Sequence, residues 1–203
     1  MPDGGAAPAP PAPPGLPRPL AEVTATPRRY GFHATLKPPF RLAAWRSPAQ
    51  LELSLAALAR RHAPVDLPGL RVASVGRFLA LLPRAPCPAL NALAHDCVAA
   101  PEPFRAPPDA VELGRRRTAG LTPRQEEMLQ RWGYPYVMAE FRFHITLTGP
   151  LERAEIEPLR RAAAAHFAPV LAEPHPVREI CLFGEDAEGF FRLLHRTPLG
   201  HGG

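Results

Sequence analysis

Lysine is almost missing from this chain of 203 residues: Lys37 is the only one, and every other basic side chain is an arginine. Proline is abundant at 29 residues, a bias that fits a GC-rich gene, so the net charge of +5 is a weak pointer to an anionic partner. Cysteine is scarce. Cys87, Cys97 and Cys181 lie far apart without a C-x-x-C spacing, which argues against a disulfide framework and against a zinc site. No stretch approaches the ~20 apolar residues of a membrane span, and the first residues lack the basic start and apolar run of a signal peptide. A cytoplasmic protein without membrane contact, metal or cofactor is therefore expected. Hydrophobic residues make up 46% and charged residues 21%, which excludes a wholly disordered chain.

Residues 1–20 are dominated by Pro, Ala and Gly and offer no periodic apolar face, so they read as a disordered tail, with a proline-rich ligand for a binding module as the alternative. Order is expected from near Arg28. RRYGFHATL reads as a strand ending at Pro38-Pro39, and Ser47-Pro48-Ala49-Gln50 as a capping box opening a helix over 48–62. LRVASV and RFLALLP, divided at Gly76, read as strands, and CPALNALAHDCVAA as a second helix. These form a first lobe over 21–100. Residues 101–133 are more polar and proline-broken, with helices over 109–117 and from the capping box at Thr122-Pro123-Arg124-Gln125, and connect to a second lobe over 134–203. There FRFHITLTGPL reads as a strand, 158–167 as an amphipathic helix, and VREICLF with GFFRLLHRTPL as a hairpin around Gly184 to Gly189.

The two halves share one pattern. YGFHATLKPPF aligns with FRFHITLTGPL, matching Phe32 to Phe143, His33 to His144, Thr35 to Thr146, Leu36 to Leu147 and Pro39 to Pro150. One H-x-T is a common accident and an isolated strand histidine is usually structural, but two copies of H-x-T-L-x-x-P at a constant offset are not chance. Strand parity sends His33, Thr35 and Lys37 to one face, with Phe32, Ala34 and Leu36 on the other. It likewise groups Arg142, His144, Thr146 and Thr148. The polar faces then present imidazoles for proton transfer, with hydroxyls and cations to hold the oxygens of a phosphodiester. His33 and His144 are the expected acid and base, in either order. Thr35, Thr146, Lys37, Arg142 and Thr148 are the expected phosphate ligands.

HATL and HITL resemble the paired signatures of the two-histidine (2H) phosphoesterase superfamily. YGFHATLKPPFRL, GYPYV and FRFHITLTGPL are similar to its branch of phosphonate-metabolism proteins. The likeness implies an α+β fold of two pseudo-symmetric lobes, each a small antiparallel sheet with outer helices, flanking a central cleft. It further implies a metal-independent phosphodiesterase acting on a cyclic ribose phosphate or a 2′,3′-cyclic phosphate. Relatives of that kind carry an N-terminal strand where this chain has its proline-rich tail, which would leave a sheet edge open.

A non-catalytic phosphate- or RNA-binding module and an RNA end-processing factor are the rival readings, the latter opposed by the lack of a long basic and aromatic surface. Arg115, Arg116 and Arg117 read as a solvated helix end. His62, His95, His166, His175, His195 and His201 have no partner at metal-ligand spacing. Tyr30 falls on the core side by parity, Tyr136 could stack on a base or sugar, and Trp45 and Trp132 read as packing residues.

Overall fold

The computed structural model describes residues 16–118 and 120–200. The expected tail thus lies outside the described residues as far as residue 15, as does His201. Leu16 packs against the cluster around Val23, Leu79, Leu151 and Leu159, and Arg18 forms an ion pair with Glu155.

Two short helices, α1 (Leu20–Val23) and α2 (Ala25–Arg28), precede the segment expected as a strand and overlap it only at Arg28. Gly31, with φ of +73°, turns the chain at the end of this strap, and the motif segment that follows is extended but bridged only at Ala34. Prolines 38 and 39 have no N–H to continue a ladder. Helix α3 (Pro48–Ala59) opens with the expected reciprocal capping box between Ser47 and Gln50, and it ends three residues short of the expected limit. Strands β1 (Val65–Leu67), β2 (Leu70–Val75) and β3 (Phe78–Pro83), helix α4 (Pro88–Ala99), α5 (Ala110–Arg117) and α6 (Pro123–Trp132) follow. The second motif contributes only β4 (Ile145–Thr146). Its ladder stops because Leu147 and Thr148 both donate to the Leu79 carbonyl, as in a bulge. Helix α7 runs Arg153–Leu171, longer than expected, with Pro158 inside it, and β5 (His175–Val177), β6 (Glu179–Glu185) and β7 (Phe191–Pro198) complete the fold.

The result is α+β with small antiparallel sheets, but the strands do not form two lobes that each own a sheet. β1 pairs with β5, and β4 adds to the β2–β3 hairpin, so two of the three sheets combine strands from both halves. Helices are exchanged in the same way. Leu51, Leu55 and Leu58 of α3 pack with Ile180 and Leu182 of β6, while Ala163, Ala164 and Phe167 of α7 pack with Val72 and Leu81 of the first-half hairpin. Short strands cannot bury an apolar face alone. Each hairpin here is covered by a helix from the other half of the chain.

Candidate functional site: a paired-histidine sheet face

The bridge between Ala34 and Ile145 is antiparallel, so the two motif segments run side by side as neighbours on one sheet. By that register His33 faces Thr146 and Thr35 faces His144. Residues opposite one another share a face, as do residues two apart, so all four side chains project from the same side of the sheet. Cross-strand neighbours stand ~5 Å apart and diagonal ones ~7–8 Å, which is the separation the register gives the two imidazoles. The opposite side carries Ile145, Phe143 and Leu147, packed with Val72 and Leu81 under α7.

Each imidazole is oriented from below by the carbonyl two residues upstream. His33 Nδ1 is 3.1 Å from the Gly31 oxygen and His144 Nδ1 is 2.8 Å from that of Arg142. A carbonyl only accepts, so in the neutral ring Nδ1 carries the proton and Nε2 is the free base. The other contacts differ. The Thr35 hydroxyl, 3.0 Å from His33 Nε2, donates to it, whereas His144 Nε2 and the Thr146 hydroxyl have no hydrogen-bond partner among the described residues.

Two aromatic rings frame the pair. Phe78 of β3 lies 6.1 Å from His144 at 48°, and Phe183 of β6 lies 6.1 Å from His33 at 45°. Tyr30 stacks on His33 at 5.7 Å and on Phe191 at 4.8 Å, which corrects its expected place on the core side. The strand does not reach back across Gly31, so strand parity does not apply to Tyr30. Phe32 is also misplaced by parity: it is 67% exposed and leans on Phe167. Phe78 and Phe183 were missed because neither adjoins a motif in sequence. Each lies on the strand face opposite its helix-covered neighbours, which parity within RFLALLP and EICLF could have shown.

Two expected phosphate ligands are otherwise engaged. Lys37 turns away from the pair, 2.9 Å from both the Glu102 carboxylate and the Val98 carbonyl, with its ammonium over the Phe40 ring. Burial lowers its pKa, and Glu102 opposes the shift. Prolines 38 and 39 end the strand just after it, so alternation no longer fixes its side. Thr148 is buried, accepting from the Leu79 N–H at 3.0 Å and donating to the Gly149 carbonyl at 2.9 Å, so its hydroxyl is spent inside the fold. Arg142 is exposed and lines a groove with His144.

The remaining candidates lie away from the pair. His62 is held by Asp96 at 2.9 Å and His175 by the Val170 carbonyl. Arg116 pairs with Glu112 and Arg117 with Glu126, while Trp45, expected to pack, is 73% exposed. Cys97 is buried beside this region, and burial pushes its thiol up to about 12. Among the described residues no helix is long and apolar enough to cross a membrane.

Fold and site together define an α+β protein with two H-x-T segments joined on one sheet face. The chain belongs to the family described as "Protein of unknown function (DUF1045)", whose profile matches residues 35–192, beginning two residues after His33. It is 44% identical over 163 residues to a ribose 1,5-bisphosphate phosphokinase PhnN of Janthinobacterium sp. (strain Marseille), covering 78% of this chain and 36% of the relative. It is 39% identical over 180 residues to the protein of that name from Laribacter hongkongensis (strain HLHK9), covering 85% and 40%. The chain thus spans well under half the length of these relatives. Their name is that of a kinase, and this overturns the expectation of a metal-independent cyclic phosphodiesterase. The physical reason is that imidazoles and hydroxyls beside a phosphoryl group serve several kinds of phosphoryl chemistry, and the motif alone does not select a diester.

Proposed function

We propose that this chain is a domain of phosphonate metabolism that handles a phosphorylated ribose, whose phosphoryl group sits on the face formed by His33, Thr35, His144 and Thr146. The antiparallel register at Ala34 and Ile145 carries the reading, because it puts two imidazoles and two hydroxyls within reach of one group of phosphate size. His144 Nε2, bare and fixed by its Nδ1 partner, is the proton acceptor. His33 Nε2 is reached through the Thr35 hydroxyl. Kinship with the two-histidine superfamily is supported by the paired motif on adjacent strands. The kinase name of the relatives does not map directly onto these residues, since a phosphate-binding loop of G-x-x-x-x-G-K-[ST] type needs a lysine and the only one here is tied to Glu102.

Titration calorimetry with ribose 5-phosphate and with ribose tests the proposal. The phosphate ester binds and ribose does not, and His144→Asn or Thr146→Val weakens binding about tenfold, the value of one hydrogen bond to a charged group. Repeating the titration in buffers of different ionisation enthalpy shows proton uptake in the wild type that His144→Asn removes. Equal affinity for the two ligands, or wild-type affinity in both variants, overturns the reading.

A further inference from the structure

We propose that the groove beside His144 is a second phosphate subsite, so that the site takes a pentose phosphorylated at both ends. This rests on the reading that the histidine face holds one phosphoryl group. The groove has a volume of about 630 Å³ and is lined by Arg71, Arg84, Arg142, Ser74, Asn91 and His144 among its polar residues, with no carboxylate in its walls. None of the three arginines forms an ion pair with a described carboxylate.

The register explains how the sheet gathers them. Leu81 pairs with Ile145, so one step along Leu82 faces His144, and Leu82 pairs on its other side with Arg71. Arg71 therefore shares a face and a row with His144, two strand spacings or roughly 10 Å away. Arg84 and Arg142 line the same groove, and like charges gathered in one place repel unless an anion lies between them. Arg84 is pre-set for this: its Nε donates to the Leu70 carbonyl at 2.9 Å, which fixes the guanidinium and leaves its terminal nitrogens free. Planar guanidinium forks recognise phosphate by paired, charge-assisted hydrogen bonds, and Asn91 adds a neutral donor. A cationic subsite one sugar length from a histidine face selects a doubly phosphorylated ligand over a singly phosphorylated one.

Calorimetric affinities of the full chain for ribose 1,5-bisphosphate and ribose 5-phosphate decide the matter. The bisphosphate is expected to bind about tenfold tighter or more, and Arg71→Ala with Arg84→Ala to reduce that preference to under about threefold. Because Arg84 holds a backbone carbonyl, Arg71→Gln alone, checked by thermal melting, is the second variant; it is expected to cost the bisphosphate at least about threefold. Equal affinity for the two ligands, or a preference that survives the substitutions, overturns the subsite and leaves the single-phosphate reading standing. If neither ligand binds, both fall together.

Discussion

His33 and His144 receive the same support from the backbone, but the carbonyls that supply it are held differently. Gly31 sits at φ +73°, a conformation that costs a residue with a Cβ about 1–2 kcal/mol, although a Cβ there would meet no atom within 4 Å. Gly31→Ala is therefore expected to lower stability by about that amount and to weaken ribose 5-phosphate binding at least about threefold by turning the carbonyl away from His33 Nδ1. Denaturant melts and calorimetry check both, and unchanged binding would show that the carbonyl does not orient the ring. Thr148→Val has the opposite profile. It removes two internal hydrogen bonds and should cost about 1–3 kcal/mol in a urea melt while leaving ligand affinity alone. Parity within the motifs agrees with the register at His33, Thr35, His144 and Thr146, which both set on one face. It failed at Tyr30, Phe32, Lys37 and Thr148 because alternation holds only while the backbone stays extended, and Gly31, the prolines and the bulge at Leu79 each end it.

At the scale of elements, the first motif segment is tied to α4 and the connecting region by a cluster in which Glu102 accepts from both Lys37 and Arg105. Burial pushes the Glu102 carboxyl up, but the hydrogen bonds from Arg105 and Lys37 outweigh it and hold the group below its usual range. Its folded-state value lies under the unfolded one, so its contribution is complete above the ordinary glutamate value of about 4.3 and is lost as the pH falls through the lower folded value. Glu102→Gln should lower stability by about 1–3 kcal/mol at neutral pH. The gap between wild type and variant should close below about pH 4 in acid-series urea melts. A gap that stays constant across that range would show that the carboxylate's charge is not what the cluster uses. Helix starts were the most legible elements in the sequence, since capping boxes at Ser47 and Thr122 are local chemistry. Strand extents were the least legible, because one bridge or a two-residue strand leaves no periodic trace.

For the molecule as a whole, the exchange of helices and strands between halves decides how it comes apart. Val72 and Leu81 depend on α7, and Ile180 on α3, so neither half can keep its apolar face covered alone. The 203-residue chain is expected to unfold in one cooperative transition. Residues 1–100 and 101–203 expressed separately should give no sigmoidal melt by circular dichroism. Two independent transitions, or a folded isolated half, would contradict this. The repeat in the sequence correctly announced two related segments but suggested two lobes. Which strand lies beside which is set by long-range pairing of β1 with β5 and β3 with β4, and strands of two or three residues carry no local signal for that.

The same exchange bears on how the chain is made. Synthesis adds ~5–20 residues per second, so the β2–β3 hairpin is complete several seconds before α7 exists to cover it. During that interval Val72 and Leu81 have Leu90 of α4 beside them but no α7, and completing their cover requires contacts between residues far apart in sequence, which is slow. A nascent chain paused near residue 100 should therefore expose an apolar hairpin that binds chaperones and aggregates. Slowing translation over the stretch between α4 and α7 should lower the yield of folded protein in the cell, although no residue of the finished structure is changed.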